Sequence, residues 1–424
     1  MIGNISMHGE IITIGDELTA GRTVDLNAWY AAGKIASSGL EITRVTSVGD
    51  NTEMVSEALK RACLSSRFVI VTGGLGSTRD DITSEIVAGA LKRPLSSNLE
   101  MLDKIRHFVK KRGIEMTPCI EKMANLPDGA TLIHPDGAVC GYSLVEKDVH
   151  LYFLPGVPNQ MRYLLDTFVI PDILALYDTI PVMKHRVLKV YGLNEPIIAE
   201  KLESLGNETG EAVLGFYPHF PENHITITLH GEEASTVSKK LDWIEAQIIK
   251  ILGDYVFTSD NKDIEEVVGD KLKGKGWSIG LAESCTGGLI SDRLTDVAGS
   301  SGYFQGGVVC YSNSSKEHLL GVRKETLVQY GAVSSETARE MAVGIRTCMK
   351  TDLGIAVTGI AGPDGGSKKK PVGTVHIGLS SENDLFTQQY RFRGSRSQVK
   401  LNAAMMALDW VRRTIDGHSI IPGI

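Results

Sequence analysis

The chain has 424 residues, 42% of them hydrophobic and 22% charged, and a formal net charge of −7. That length exceeds one ordinary domain and suits two or three, each able to bury a core. The acidic balance gives no global reason to wrap nucleic acid or an anionic membrane, and no apolar run approaches the roughly 18 residues of a membrane span.

The first residues, Met1 to Met7, lack the basic and apolar stretches of a secretory signal, and Met7 is an alternative start. Six cysteines, Cys63, Cys119, Cys140, Cys285, Cys310 and Cys348, contain no C-x-x-C pair. In a chain of this size that pattern suits reduced thiols in the cytoplasm rather than a disulfide frame or a zinc site.

Residues 1–178 alternate strand and helix. Ile11–Ile14 reads as a strand, followed by a helix carrying Leu26, Trp29, Tyr30 and Ile35. Val45–Val48 is a second strand. Asn51 or Thr52 can cap the next helix, with Met54, Val55, Ala58, Leu59 and Ala62 on one face. Phe68–Val71 is a third strand, ending at Gly73-Gly74, and Ile86, Val87, Ala90 and Leu91 continue a helical pattern. Strands separated by helices imply a parallel sheet covered on both faces, which binds ligands at the carboxyl ends of its strands.

Residues 179–258 follow a β-α-β-β-α order: Arg186–Val190, Ile197–Leu205, Val213–Phe216, Ile225–Leu229 and Ser235–Leu252. This small α+β module is KH-like in outline but lacks the GXXG loop of nucleic-acid-binding KH domains. A spacer or dimerisation role is therefore expected of it. Asp263 then caps a helix that opens a second α/β domain, residues 259–424, with strands at Ile279–Ala282, Gly307–Tyr311, Gly354–Val357 and Val372–Leu379. The last helix carries Val399, Ala403, Met406 and Trp410 as a core-facing stripe. The expected fold class is α/β: two α/β domains with parallel-rich sheets joined by a small KH-like module.

In the C-terminal domain a buried strand runs into Ala282-Glu283-Ser284-Cys285-Thr286-Gly287-Gly288, and a helix follows. A helix start offers unpaired amides and a positive dipole end, able to hold a phosphate or an oxyanion. Ser284 on this turn is placed as a nucleophile would be; equally, Ser284 or Thr286 simply caps the helix. Tyr311-Ser312-Asn313-Ser314-Ser315-Lys316 ends a neighbouring strand. A lysine beside a serine acts as its base once burial lowers its pKa, and a tyrosine hydroxyl can relay a proton or hold that base. The glycine loop Gly359–Gly366, with Gly362, brings backbone close to a ligand at the same edge.

These segments, with Val372-Gly373-Thr374-Val375 and Phe392-Arg393-Gly394-Ser395-Arg396, resemble the nicotinamide-nucleotide amidase domain of the competence/damage-inducible protein A (CinA) family. The resemblance implies hydrolysis of nicotinamide mononucleotide to nicotinate mononucleotide and ammonia, without a cofactor. It makes Ser284 the nucleophile, Tyr311 and Lys316 its activating partners, and Thr286 a site residue. The amides of Thr286, Gly287 and Gly288 become oxyanion donors, with Gly362 beside the substrate. Arg396 becomes a contact for the substrate phosphate, although Arg391 and Arg393 share its stretch. Cys285 is the rival nucleophile, since a helix N-terminus lowers a thiol pKa.

In the N-terminal domain the strand ends carry Gly15-Asp16-Glu17, Gly49-Asp50 and the run Gly73-Gly74-Leu75-Gly76-Ser77-Thr78-Arg79-Asp80-Asp81-Ile82-Thr83. Carboxylates beside glycines that admit phosphate suit metal-assisted cleavage of a pyrophosphate. This half resembles the molybdopterin-binding-type domain of the same family. The resemblance implies ADP-ribose pyrophosphatase activity giving AMP and ribose 5-phosphate, with Mg²⁺ or a similar divalent ion. That domain's functional aspartates match Asp50 and Asp81, the latter expected to be catalytic; the strand-end carboxylates extend the expected metal set to Asp16, Asp50, Asp80 and Asp81, with substrate contacts at Gly74, Gly76 and Thr78. Two departures stand out: Ser77 replaces the usual proline, and His134-Pro135-Asp136-Gly137-Ala138-Val139-Cys140-Gly141 replaces an Asn…Gly-Thr-Ala-Pro-Gly pattern.

The leading expectation is a cytoplasmic, bifunctional pyridine-nucleotide salvage hydrolase, a homo-oligomer such as a dimer, binding small nucleotides and neither membrane nor nucleic acid. The alternatives are a deamidase whose N-terminal half is a pterin or nucleotide sensor, and an accessory of competence or DNA damage.

Overall fold

The computed structural model describes residues 8–134, 141–180, 182–206 and 208–423. Most of the departing stretch, residues 135–140, and the residues before His8 therefore lie outside the described part. Two compact units emerge: one holds residues up to Lys184 with Leu229–Ser238, the other His185–Thr228 with Lys239 onward.

The first unit is built on a six-stranded sheet. Glu41–Val48, His8–Ile14, Phe68–Thr72 and Val149–Leu154 lie side by side and parallel, in that order; Gly141–Glu146 and Thr131–Ile133 extend the sheet antiparallel. Successive side chains of a strand point to opposite faces, so Ile11, Phe68 and Ile70 join one core while Ile12, Val69 and Val71 join the other. Burial on both faces explains why the central strands read as unbroken apolar runs. His8–Ile14 lies between Glu41–Val48 and Phe68–Thr72, the two strands that follow it in the chain, so the strand order reverses there, and ligand crevices open at such switch points. Asn51 caps its helix as expected, accepting from the amides of Glu53 and Met54, both at 3.0 Å.

The helix Leu26–Ser37 is turned differently from the expectation. It buries Ala28, Ala31 and Ile35, while Trp29 is 69% exposed. The small residues let the helix lie close on the sheet, and the indole is left outside.

The KH-like module is a sheet in the order Val213–His219, Glu222–Gly231, Val182–Val190, Val256–Thr258, with helices Glu195–Gly206 and Ala234–Leu252. The C-terminal sheet runs Phe304–Val309, Ile279–Glu283, Leu353–Gly359, Thr374–Ser380, Leu385–Arg391. Its first three strands are parallel and its last two antiparallel. Leu385–Arg391 was not foreseen. It is a half-exposed edge strand without a full apolar run. Asp263 opens its helix with a capping box, its amide donating to Glu266 at 2.7 Å. The last helix, Arg396–Asp416, buries Val399, Ala403, Met406 and Trp410 as expected, and from Ala403 to Arg413 it is buried on every side. Asp409 meets both Arg412 and Arg413 there, so the buried charges are paired.

Candidate active site

Ser284 directly follows Ile279–Glu283, an inner strand of the C-terminal sheet. Its amide donates to the Val357 carbonyl at 2.9 Å, and on the other side the Cys310 amide donates to the Glu283 carbonyl at 2.8 Å. These two bonds carry the sheet ladder right up to the serine. Instead of entering a helix at once, the chain makes a turn over 285–288, with Gly287 at φ 64° and Gly288 at φ 97°, and the helix starts at Leu289.

Glu283 explains the delay. Its carboxylate, 1% exposed, accepts from the amides of Gly288 at 3.0 Å, Ile290 at 3.1 Å and Ser291 at 2.8 Å, and from the Ser291 hydroxyl at 2.7 Å. An anion at the helix N-terminus is the favoured partner for those amides. Neither Ser284 nor Thr286 therefore caps the helix, and the plain capping alternative falls. The same fact corrects the oxyanion assignment: the Gly288 amide is occupied by Glu283. Among the described residues the amides of Thr286 and Gly287 meet no acceptor.

Lys316 sits in the first turn of the helix Asn313–Leu320, which Ser312 caps by accepting from the Ser315 amide at 3.0 Å. Its ammonium nitrogen is 3.0 Å from Ser284 Oγ and 2.7 Å from the Cys310 carbonyl, and the residue is 1% exposed. Burial holds its pKa below the ordinary lysine value. The positive end of its own helix acts in the same direction. Across the turn, burial pushes the Cys285 thiol up to about 12, and Cys285 packs in the main apolar core. The rival nucleophile is thus a protonated core thiol.

Tyr311 corrects another expectation. Its carbonyl is 3.5 Å from Lys316 Nζ, but its hydroxyl turns outward and accepts from Arg396 at 3.0 Å. Arg396 also donates to the Gly362 carbonyl at 2.7 Å. Arg396 thus joins Tyr311 to the glycine loop, a position neither Arg391 nor Arg393 takes. Sequence reasoning missed Lys400. It lies one helical turn after Arg396, and its Nζ would stand 3.7 Å from a β-carbon at Gly287. The fully buried Thr286 hydroxyl has no hydrogen-bond partner among the described residues. Ser284, Lys316, Thr286 and Lys400 thus converge on one turn, with Tyr311, Gly362 and Arg396 linked beside it.

The N-terminal strand ends border a cleft of about 1510 Å³. Its lining includes Glu17, Asp50, Asp80 and Asp81 together with Lys104, Lys111, Arg112 and Lys122, and Lys122 Nζ donates to the Asp81 carbonyl at 2.8 Å. The basic residues come from segments the sequence reading left without a role. Asp16 is not in the lining: its carboxylate accepts from the Asp50 amide at 3.0 Å, and the Asp16 amide donates back to Asp50 at 3.0 Å. Asp81 is turned into its own loop, accepting from the Thr78 amide at 2.8 Å and the Thr78 hydroxyl at 2.6 Å. A β-carbon at Gly76 would stand 2.5 Å from the Asp81 carboxylate, and one at Gly74 only 2.1 Å from the Thr83 hydroxyl. These glycines make room for the loop's own side chains, and Thr78 and Asp81 answer each other.

The expected four-aspartate metal set is accordingly not gathered around one point. Among the described residues only His219, Glu222 and His224 bring three ligand atoms within 4.8 Å of one another. The cleft still suits a hard ion. Burial and the facing charges of Asp16, Glu17 and Asp80 raise the Asp50 pKa. A divalent cation offsets that repulsion, and Mg²⁺ commonly takes one or two carboxylates and completes its shell with water and phosphate oxygens.

Two parallel-rich α/β domains with a KH-type module between them in the chain, one bearing a buried Ser/Lys pair and the other a carboxylate-lined cleft, define the class. The chain matches "Probable molybdopterin binding domain" over residues 10–175, "Damage-inducible protein CinA KH domain" over 185–258 and "CinA C-terminal domain" over 261–415. It is 39% identical over 405 residues to the CinA-like protein of Geotalea uraniireducens, covering 95% of this chain and 96% of that one. It is 38% identical over 417 residues to a putative competence-damage inducible protein of Caldanaerobacter subterraneus, covering 98% and 100%. A solved CinA superfamily protein from Klebsiella pneumoniae is 34% identical, covering 36% of this chain and 96% of its own, with a TM-score of 0.36. The chain belongs to the CinA family. Among the described residues no helix is long and apolar enough to cross a membrane.

Proposed function

We propose that the C-terminal domain deamidates nicotinamide mononucleotide through a Ser/Lys mechanism. The observation that carries this reading is the buried Lys316 amine 3.0 Å from Ser284 Oγ. Neutral Lys316 takes the Ser284 proton as Oγ attacks the carboxamide carbon. The tetrahedral intermediate collapses, the C–N bond breaks, and Lys316 gives its proton to the departing nitrogen, releasing ammonia. Water then attacks the acyl-enzyme with Lys316 again as base, freeing nicotinate mononucleotide and Ser284.

The Thr286 and Gly287 amides and the Thr286 hydroxyl, which meet no acceptor among the described residues, are the candidate oxyanion donors; one such donor contributes about 2.7–4 kcal/mol elsewhere. Arg396 and Lys400 supply positive charge for the phosphate. Arg396 adds a planar fork that lysine lacks. No step needs a metal.

For the N-terminal domain the reading is hydrolysis of ADP-ribose to AMP and ribose 5-phosphate. Asp50 and Asp80 would hold a divalent ion, which offsets the charge of the pyrophosphate when bound. Lys104, Lys111, Arg112 and Lys122, which line the same cleft, are the candidate phosphate contacts. One observation favours a second reading, a non-catalytic nucleotide or pterin sensor: Asp81 and Thr78 are engaged with each other. Assaying ammonia release and ADP-ribose cleavage, with and without EDTA, separates these. Chelation is expected to stop only the second reaction. Metal-dependent deamidation would overturn the serine mechanism, and absent ADP-ribose cleavage would leave the sensor.

A further inference from the structure

The KH-like module holds a cluster that neither proposed reaction uses. Val213–His219 and Glu222–Gly231 form an antiparallel hairpin across the two residues Phe220 and Pro221, and His219 pairs with Glu222 in the register. Directly opposed residues share a face of the sheet, as do residues two apart on one strand. His219, Glu222 and His224 therefore project from the same face at the hairpin's end.

Their side chains meet there. The rings of His219 and His224 are stacked, with centroids 4.6 Å apart and planes 14° from parallel. A ring nitrogen of His224 lies 2.8 Å from Glu222 Oε1. One ligand atom from each residue lies within 4.8 Å of the other two. Glu222 is a buried carboxylate and His219 is exposed, so the cluster is anchored on one side and open to solvent on the other.

We propose that His219, Glu222 and His224 form a zinc site. Two imidazoles and one carboxylate are a recurrent zinc donor set, with zinc–ligand distances of about 2.0–2.2 Å. Tetrahedral coordination at those distances puts ligand atoms roughly 3.4 Å apart, which small side-chain rotations reach from the observed spacing. The exposed side leaves a fourth position for water.

Donor chemistry separates this site from the N-terminal cleft. Imidazole favours zinc and its first-row neighbours, whereas the cleft offers carboxylate oxygens suited to magnesium. Bound zinc would clip the two strands together beyond their turn.

The test uses the full chain, stripped of metal and held in excess magnesium. Calorimetric titration with zinc is expected to find one site per chain. Replacing zinc by cobalt is expected to give the intense visible absorption of a four-coordinate centre. His219→Ala, at an exposed position, and the double variant His219→Ala/His224→Gln are expected to weaken zinc binding at least 10-fold and to remove the cobalt band. Asp50→Asn is expected to leave both signals intact. Absence of zinc binding by the wild-type chain would overturn the site. So would unchanged binding by folded His219→Ala, or loss of the signals in Asp50→Asn alone.

Discussion

The C-terminal turn and the N-terminal cleft both collect charge at the carboxyl ends of parallel strands, yet they handle it in opposite ways. At the turn, Glu283 and Lys316 are each 1% exposed, and each charge-bearing group has its partners in place: four donors for the carboxylate, a carbonyl and Ser284 for the amine. In the cleft the charges of Asp16, Glu17 and Asp80 act against ionisation of Asp50, and cationic side chains line the same space. A dry site with fixed partners can perform proton transfer with its own residues. A cleft in which neighbouring carboxylates act against the charge of Asp50 favours an entering cation. The comparison teaches that the reaction proposed for the C-terminal half should tolerate chelation and respond to pH, while the one proposed for the other half should respond to metal.

Ser284→Ala gives the sharpest test of the first half of that contrast. Ammonia release is expected to fall on the order of 10⁴-fold or more, as for serine nucleophiles elsewhere, while Cys285→Ala keeps most of it. The opposite pattern would move the chemistry to the thiol. Lys316 adds a pH signature. Its neutral form is the base, so kcat/KM should hold above its folded pKa and decline as pH drops through it. Burial lowers that pKa, so the decline should fall below the range of an exposed lysine. Lys316→Met, which keeps the buried length, should remove both the activity and this limb of the profile.

The second half of the contrast is tested by Asp50→Asn. It is expected to lower ADP-ribose cleavage by about 10²-fold, the upper end of what loss of metal-supporting groups costs elsewhere, and to leave deamidation unchanged. Equal losses in both reactions would mean that the two sites are not independent. Arg396→Ala should act more mildly. Charged hydrogen bonds contribute about 1.5–3 kcal/mol, so KM for nicotinamide mononucleotide should rise roughly 10- to 100-fold with kcat less affected. A loss confined to kcat would instead tie Arg396 to the chemistry through Tyr311.

How much of this was legible follows from how local each feature is. Strands and helices whose apolar residues recur regularly, such as Phe68–Thr72 and Arg396–Asp416, could be read directly. Ser284 and Lys316 could be placed because each follows a buried strand and stands beside turn-forming residues. Glu283 ends an apolar strand in the sequence, an odd place for a carboxylate, but its partners lie up to eight residues on. Only the turn's geometry reveals them. Lys400 was signalled by its spacing from Arg396, yet its approach to Gly287 depends on how two distant segments pack. The cleft's aspartates misled because Asp and Gly also build turns. Asp81 is paired three residues back with Thr78, so its role is local before it is anything else.

The smallest expected effect tests the Thr286 hydroxyl, and it separates packing from function. A buried hydroxyl without a partner costs free energy, so replacing it with a methyl group of similar shape should not destabilise the fold. Thr286→Val is therefore expected to hold or slightly raise the thermal midpoint. If the hydroxyl donates to the oxyanion, the same variant should lower kcat for ammonia release about 10-fold, below the full contribution of a donor because backbone amides remain. KM should change little, since the interaction forms as negative charge develops on the substrate oxygen. Stability retained with kcat reduced would assign the hydroxyl to the reaction. Unchanged kcat would return Thr286 to the core and leave the oxyanion to the amides of Thr286 and Gly287.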